Sequence, residues 1–167
     1  TRDDGWRLLS SGRHLERLGF LSSALGWAFE TGSVFDESGF EAVVALFDST
    51  ITFHAQYQQR HDIPALVDLL VLDRDNPRSL AWVAQTLRGR LGKLAGSAAG
   101  QVPDIALTIP DPKDWTLESM CERDGEGRYQ KLMDLLQQCT DAAYQLSDDL
   151  GARYFTHSTD PRHSVGA

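Results

Sequence analysis

The 167-residue chain is short of cysteine, of long apolar runs and of positive charge, and each shortage removes a class of protein. Its two cysteines, Cys121 and Cys139, lack metal-ligand spacing and fall on segments that read as helical. That excludes a disulfide-stapled scaffold and suits a reducing compartment, so a cytoplasmic location is expected. No apolar run reaches the roughly 18–20 residues needed to cross a bilayer. Thr1 opens neither a signal peptide nor an initiator methionine, as expected of a fragment. Net charge is −8, most of it after residue 95, which speaks against nucleic acid, since a phosphate backbone requires a basic surface. The signatures of familiar chemistries are missing as well: no GxxxxGK loop, GxGxxG turn, GxSxG elbow, CxxC or HExxH occurs. No cofactor is therefore expected in this chain, and no metal.

What is present is helical periodicity. Asp3 and Asp4 suit the start of a helix and Thr31-Gly32-Ser33 its end, which predicts a first helix over about 4–30. It carries an apolar stripe of Leu8, Leu15, Leu18, Ser22, Leu25 and Phe29, and a further row of Leu21, Ala24 and Ala28. A third stripe, Leu9, Arg13, Glu16, Phe20, Ser23 and Trp27, follows the same three- and four-residue steps. With apolar residues nearly all round its later turns, this helix is expected to be central and buried. A second helix is predicted over 38–60, with Phe40, Val43, Val44, Phe47, Ile51 and His54 as its stripe, capped within Asp36-Glu37-Ser38.

The run from Ile63 to Leu72 predicts a short buried helix, with a strand as the alternative. Asn76-Pro77 then reads as N-cap and first helical position of a helix to about Leu94, striped by Leu80, Val83, Leu87 and Leu91. Pro103, Pro110 and Pro112 make 96–115 a long surface loop. A short helix near 115–122 precedes the last long one, striped by Tyr129, Leu132, Leu136, Cys139, Ala143, Leu146 and Leu150 and ending near Tyr154-Phe155, with an irregular tail over 157–167. The expected fold is all-α, a single-domain antiparallel helical bundle of about four long and two short helices.

The polar run Arg13-His14-Leu15-Glu16-Arg17 inside this first helix is the main candidate site. Two arginines and one carboxylate cannot all be paired by spacing, so another acid is needed. Asp48, in the polar patch Asp48-Ser49-Thr50 of the second helix, is expected to face the arginines. The cluster Arg13, Glu16, Arg17, Asp48 and Arg78 then has two readings. It is a buried ion-pair network fixing helix register, or it is a ligand or catalytic site in which arginines hold a carboxylate or phosphate and Glu16 moves a proton. His14, His54 and Asn76 are weaker additions. Two imidazoles and Glu16 could ligate a metal in principle, but a histidine on an apolar face is more often packed. The Asn76–Ser79 helix start could hold an anion, although capping alone explains it.

Taken together, Gly5-Trp6-Arg7-Leu8-Leu9, Gly12-Arg13-His14-Leu15-Glu16-Arg17, Asp48-Ser49-Thr50-Ile51-Thr52, Leu69-Leu70-Val71-Leu72-Asp73, Asn76-Pro77-Arg78-Ser79-Leu80 and Tyr154-Phe155-Thr156-His157 resemble the bacterial alpha-E domain family, helical proteins named for a Glu-Arg motif. The motif maps onto Glu16 and Arg17. The resemblance is to the second half of a longer member, which implies that the first half, or a second copy of the chain, covers apolar faces left open here. It also implies a setting beside a circularly permuted ATP-grasp ligase, often with a transglutaminase-like peptidase nearby, in peptide synthesis or modification. The expected role is an accessory helical module that binds the ligase or its peptide substrate. The alternative is an enzyme or small-anion-binding domain with its site at the first helix's Arg/Glu cluster.

Overall fold

The computed structural model describes residues 2–58, 60–95 and 108–152. Helix α1 spans Arg2–Thr31, α2 Glu37–Leu46, α3 Thr50–Tyr57, α4 Ile63–Val67, α5 Leu80–Ala95, α6 Leu117–Met120 and α7 Gln130–Leu150. Single 3₁₀ turns lie at Ser33–Phe35 and Pro112–Asp114, and α4 widens into a π-helical turn over Asp68–Leu72. Among the described residues there is no strand, the fold is all-α as expected, and α1 runs antiparallel to α7, with Gly19, Ser22 and Gly26 meeting Ala143, Thr140 and Leu136 in turn. The expected end of the last helix near Tyr154-Phe155, the tail, and residues 96–107 of the expected loop lie outside the described residues.

α1 is the central element, packed chiefly against α7 and next against α5. Its Leu15, Leu18, Leu21, Leu25, Ala28 and Phe29 are buried, which joins two of the three predicted stripes into one core-facing surface. On α7 every member of the predicted stripe is buried, from Tyr129 to Leu150. Each of these aliphatic side chains contributes about 1.5–3 kcal/mol on leaving water. The α1–α7 crossing runs through small residues. A Cβ on Gly19 would stand 3.3 Å from Ala143 Cβ, one on Gly26 3.8 Å from Leu136 Cβ, and between them the Ser22 and Thr140 hydroxyls meet at 2.8 Å. Both hydroxyls also reach their own helix, Ser22 to the Leu18 carbonyl and Thr140 to the Leu136 carbonyl, so neither is stranded in the core.

Three expectations are corrected. The third stripe of α1 is not buried: Leu9, Phe20 and Trp27 are more than half exposed, and Arg13, Glu16 and Ser23 are exposed with them. α5 and α7 cover the other side of the helix and only border this one, α7 through Tyr144 beside Glu16 and Phe20. The expected single helix over 38–60 is two, broken at Phe47-Asp48-Ser49. The break shifts the helical phase, so Phe53 enters the core and Ile51, expected there, is 87% exposed. The 96–115 segment is not wholly on the surface either, since Ile109 and Pro112 are buried and Arg88 donates to the Ile109 carbonyl at 2.6 Å.

Where the chain reverses after α1, Gly32 adopts a left-handed φ of 79°, ending the helix at the predicted Thr31-Gly32-Ser33 stop. α2 then folds back so closely that a Cβ on Gly39 would overlap the Ser33 carbonyl. Gly39→Ala should therefore lower unfolding free energy by roughly 1–3 kcal/mol in urea titration, despite the better helix propensity of alanine. Equal or greater stability would contradict this packing.

Candidate functional site

The predicted cluster separates in space. Arg13 and Glu16 stand on the exposed stripe of α1, while Arg17 is half-buried on the flank toward α5. His14 packs its ring 5.9 Å from that of Trp82, and the Arg90 guanidinium lies 4.9 Å over the Trp6 ring. These two contacts fix α5 antiparallel to α1 and bring Arg17 level with the first residues of α5. Asp48 pairs with Arg78, Nε to Oδ2 at 3.3 Å, and is 82% exposed. The expected buried network is thus not formed: among the described residues Asp48 meets Arg78 and no arginine of α1, and the pair lies at the surface. A surface pair of this kind contributes little stability by itself.

The reason is local. Asp48 has φ of 50°, in the left-handed region, which an aspartate tolerates better than most residues. Its N–H donates to the Ala45 carbonyl at 2.9 Å, and the Ser49 N–H donates to the Val44 carbonyl at 3.0 Å. This is a Schellman ending for α2, with aspartate where glycine is usual. It leaves the Asp48 carboxylate at the surface, and Leu46 before it and Ile51 after it are exposed as well.

Facing it, Asn76 is not the N-cap of α5. Its Oδ1 accepts from the Arg78 N–H at 3.2 Å, its Nδ2 donates to the Leu69 carbonyl at 3.2 Å, and its carbonyl accepts from the Ser79 N–H at 2.9 Å. Ser79, fully buried, is the cap: its hydroxyl accepts from the Trp82 N–H at 3.0 Å and donates to the Asp73 carbonyl. Pro77 instead holds the second position of the tight turn that presents Arg78. These N–H groups, which could have cradled an anion, are engaged inside the chain.

His54 is drawn into a cluster that sequence spacing did not reveal. Glu41 on α2 bridges His54 Nε2 at 3.3 Å and His61 Nε2 at 2.9 Å, and His54 Nδ1 lies 2.8 Å from the Gln58 carbonyl. No local motif joins Glu41 to residues 13 and 20 positions later, so no sequence signal pointed there. The His61 hydrogen bond, aided by His54, holds the Glu41 carboxyl below its ordinary range. The Gln58 carbonyl, and then Glu41, raise the His54 imidazole above its ordinary value. His14 is remote from this group and bonds its own helix, Nδ1 to the Ser10 carbonyl at 2.7 Å. Among the described residues no set of three histidine, cysteine or carboxylate groups is placed to hold a metal.

Other perturbed groups have structural causes. Burial pushes the Cys139 thiol up to about 12 and raises that of Cys121, which disfavours the thiolate form of each. Tyr57 is likewise raised to about 12, by burial first and then by its hydrogen bond to Asp68 at 2.8 Å. No described helix is long and apolar enough to cross a membrane.

Residues 1–155 match Alpha-E, described as a predicted alpha-helical domain with a conserved ER motif. The chain belongs to the Alpha-E family. Two relatives carrying the name of uncharacterized proteins, from Mycobacterium tuberculosis strain H37Rv and from Mycobacterium bovis, are each 26% identical over 106 residues. That match covers 62% of this chain and 12% of either relative, so the chain aligns with about an eighth of their length. No solved structure is similar to it. This Alpha-E chain holds two Glu-Arg dipeptides. Glu16-Arg17 lies on α1, exposed and half-buried respectively. Glu122-Arg123 ties down the turn before α7, with Glu122 bound to Lys131 at 2.6 Å and Arg123 donating to the Tyr129 hydroxyl at 2.7 Å. The second dipeptide is thus occupied structurally, while in the first only Glu16 faces outward.

The histidine–carboxylate cluster of the Alpha-E chain gives a signed pH dependence. With its folded pKa raised, His54 contributes stability below its ordinary 6.5, and this fades as pH rises through the folded value. Glu41, lowered, contributes above its ordinary 4.5 and loses that as pH falls through its folded value. The coupling is therefore greatest between those limits. The stability difference between the wild type and His54→Gln should be larger at about pH 5.5 than at about pH 8. The same difference at both values would refute the coupling.

Proposed function

We propose that this chain is an accessory, protein-binding module of an ATP-grasp-associated peptide synthesis or modification system, and that it engages the ligase or its peptide substrate at the α2–α3 break. The observation that carries this reading is the pairing of Ile51, 87% exposed, with a surface Asp48–Arg78 ion pair on a tightly hydrogen-bonded scaffold. An exposed β-branched side chain three residues after an ion-paired aspartate has the make-up of an interface anchor. Its scaffold is ordered before any partner arrives, through the Schellman ending of α2 and the Asn76 turn, which lowers the entropic cost of binding. Arg17, level with the start of α5, adds a second guanidinium on the same side of α1 as that helix. Family membership supports a partner role only through the setting that the resemblance implies, and the ligase is the partner to test.

Binding of the chain to the ATP-grasp ligase, measured by calorimetry, should weaken about tenfold or more on Ile51→Asp or Arg78→Glu. Both sites are exposed, so thermal unfolding should shift by no more than a degree or two. Wild-type affinity in both variants would overturn the assignment of this surface.

A further inference from the structure

A second surface is independent of the α2–α3 break. The outward stripe of α1, Trp6, Leu9, Arg13, Glu16, Phe20, Ser23 and Trp27, repeats in steps of three and four over 22 residues, about 32 Å of helix. That is the spacing of a coiled-coil seam, and its large side chains are all more than half exposed: Trp6 58%, although the Arg90 guanidinium covers one face of its ring, Leu9 59%, Phe20 56% and Trp27 64%. On the α7 side a shallow cleft lined by Glu16, Gly19, Phe20, Ala143 and the exposed Tyr144 widens it. The four large apolar side chains of the stripe present roughly 450 Å² between them, more than half of the ~800 Å² that one partner contributes to a standard interface.

The charges in the middle identify the occupant. Arg13 and Glu16 are opposite in sign, adjacent on the seam, and without an ion pair among the described residues. We propose that the seam is self-complementary: a second copy of this chain lies antiparallel across α1, with Arg13 of each copy meeting Glu16 of the other. The twofold axis then passes between Arg13 and Glu16, Leu9 packs on Phe20 of the other copy, and Trp6 faces Ser23. Sliding the seam to any neighbouring antiparallel register sets Glu16 against an aromatic ring, Trp6, Phe20 or Trp27. A parallel arrangement sets arginine on arginine and glutamate on glutamate. The charges thus act as a register device of the kind polar seam residues supply, and the apolar neighbours supply the adhesion.

Sedimentation equilibrium of the 167-residue chain tests this. The wild type should show a concentration-dependent monomer–dimer equilibrium. Arg13→Glu and Glu16→Arg, each alone, place like charges together twice per dimer and should weaken it about tenfold or more. The double swap should restore it, and an equimolar mixture of the two single variants should form a heterodimer that neither forms alone. Because both positions are exposed, circular dichroism should show the same helix content in every variant. A chain that stays monomeric at all concentrations, as it would if the seam belonged to another segment or protein, overturns the proposal, and so does a dimer indifferent to the swaps.

Discussion

The contact on which the structure depends is the close crossing of α1 and α7 at Gly19, Ser22 and Gly26. Three small positions, each one turn from the next, let the helices approach until Gly19 is opposite Ala143 and Gly26 opposite Leu136, with the Ser22–Thr140 hydroxyl pair filling the space between. Two buried hydroxyls without partners would each cost about 1–3 kcal/mol; bonded to one another and to their own helices, they are accommodated. Everything else is arranged about this crossing. α5 closes the remaining apolar side of α1, α2 folds back over its end through Gly32 and Gly39, and the buried row of α7 completes the core.

The same crossing decides what is left open. Having its small-residue face against α7 and another flank against α5, α1 turns its outermost stripe to solvent. An apolar stripe interrupted by an arginine and a glutamate is unsuited to a core, where each charge would need a dedicated partner, but well suited to a surface that meets another protein. The α2–α3 break has an analogous logic. A helix that continued through Asp48 would have kept Ile51 on the apolar stripe of Phe40, Val44 and Phe47, whereas the left-handed turn leaves Ile51 exposed and Asp48 paired with Arg78 at the surface. The two surfaces are centred on different elements, the α2–α3 break and the outward stripe of α1.

How far the sequence foretold this can be followed residue by residue. The rows on α7 and α5 were legible because amphipathic periodicity with one apolar face admits one orientation. The stop at Gly32 was legible because glycine takes φ of 79° without strain. On α1 three apolar rows were visible, but periodicity does not say which of them finds neighbours. That depends on the close approach at Gly19, Ser22 and Gly26, a long-range fact. The break at Asp48 was missed because a Schellman ending usually announces itself with glycine, and here a hydrogen-bonded aspartate takes its place. The true cap of α5 was missed because Asn76-Pro77 imitates a helix start, while the fold uses it as the preceding turn. Of the candidate site, the Asp48–Arg78 pairing joins two residues singled out together, whereas Arg13, Glu16 and Arg17 were expected to be drawn inward and instead stand at or near the surface. Glu41 and His61 left no trace, since nothing in the intervening residues marks their meeting with His54.

The most direct test of this account compares two glycines on the same helix. Gly12 has open space where a side chain would go, and Gly19 has Ala143. Replacing either by leucine brings the same gain in helix propensity, roughly 1 kcal/mol. Measured by urea unfolding, Gly12→Leu should therefore leave stability unchanged or raise it, while Gly19→Leu should lower it by about 1–3 kcal/mol as α1 and α7 are forced apart. Similar stability changes in the two variants would contradict the central place given to the crossing.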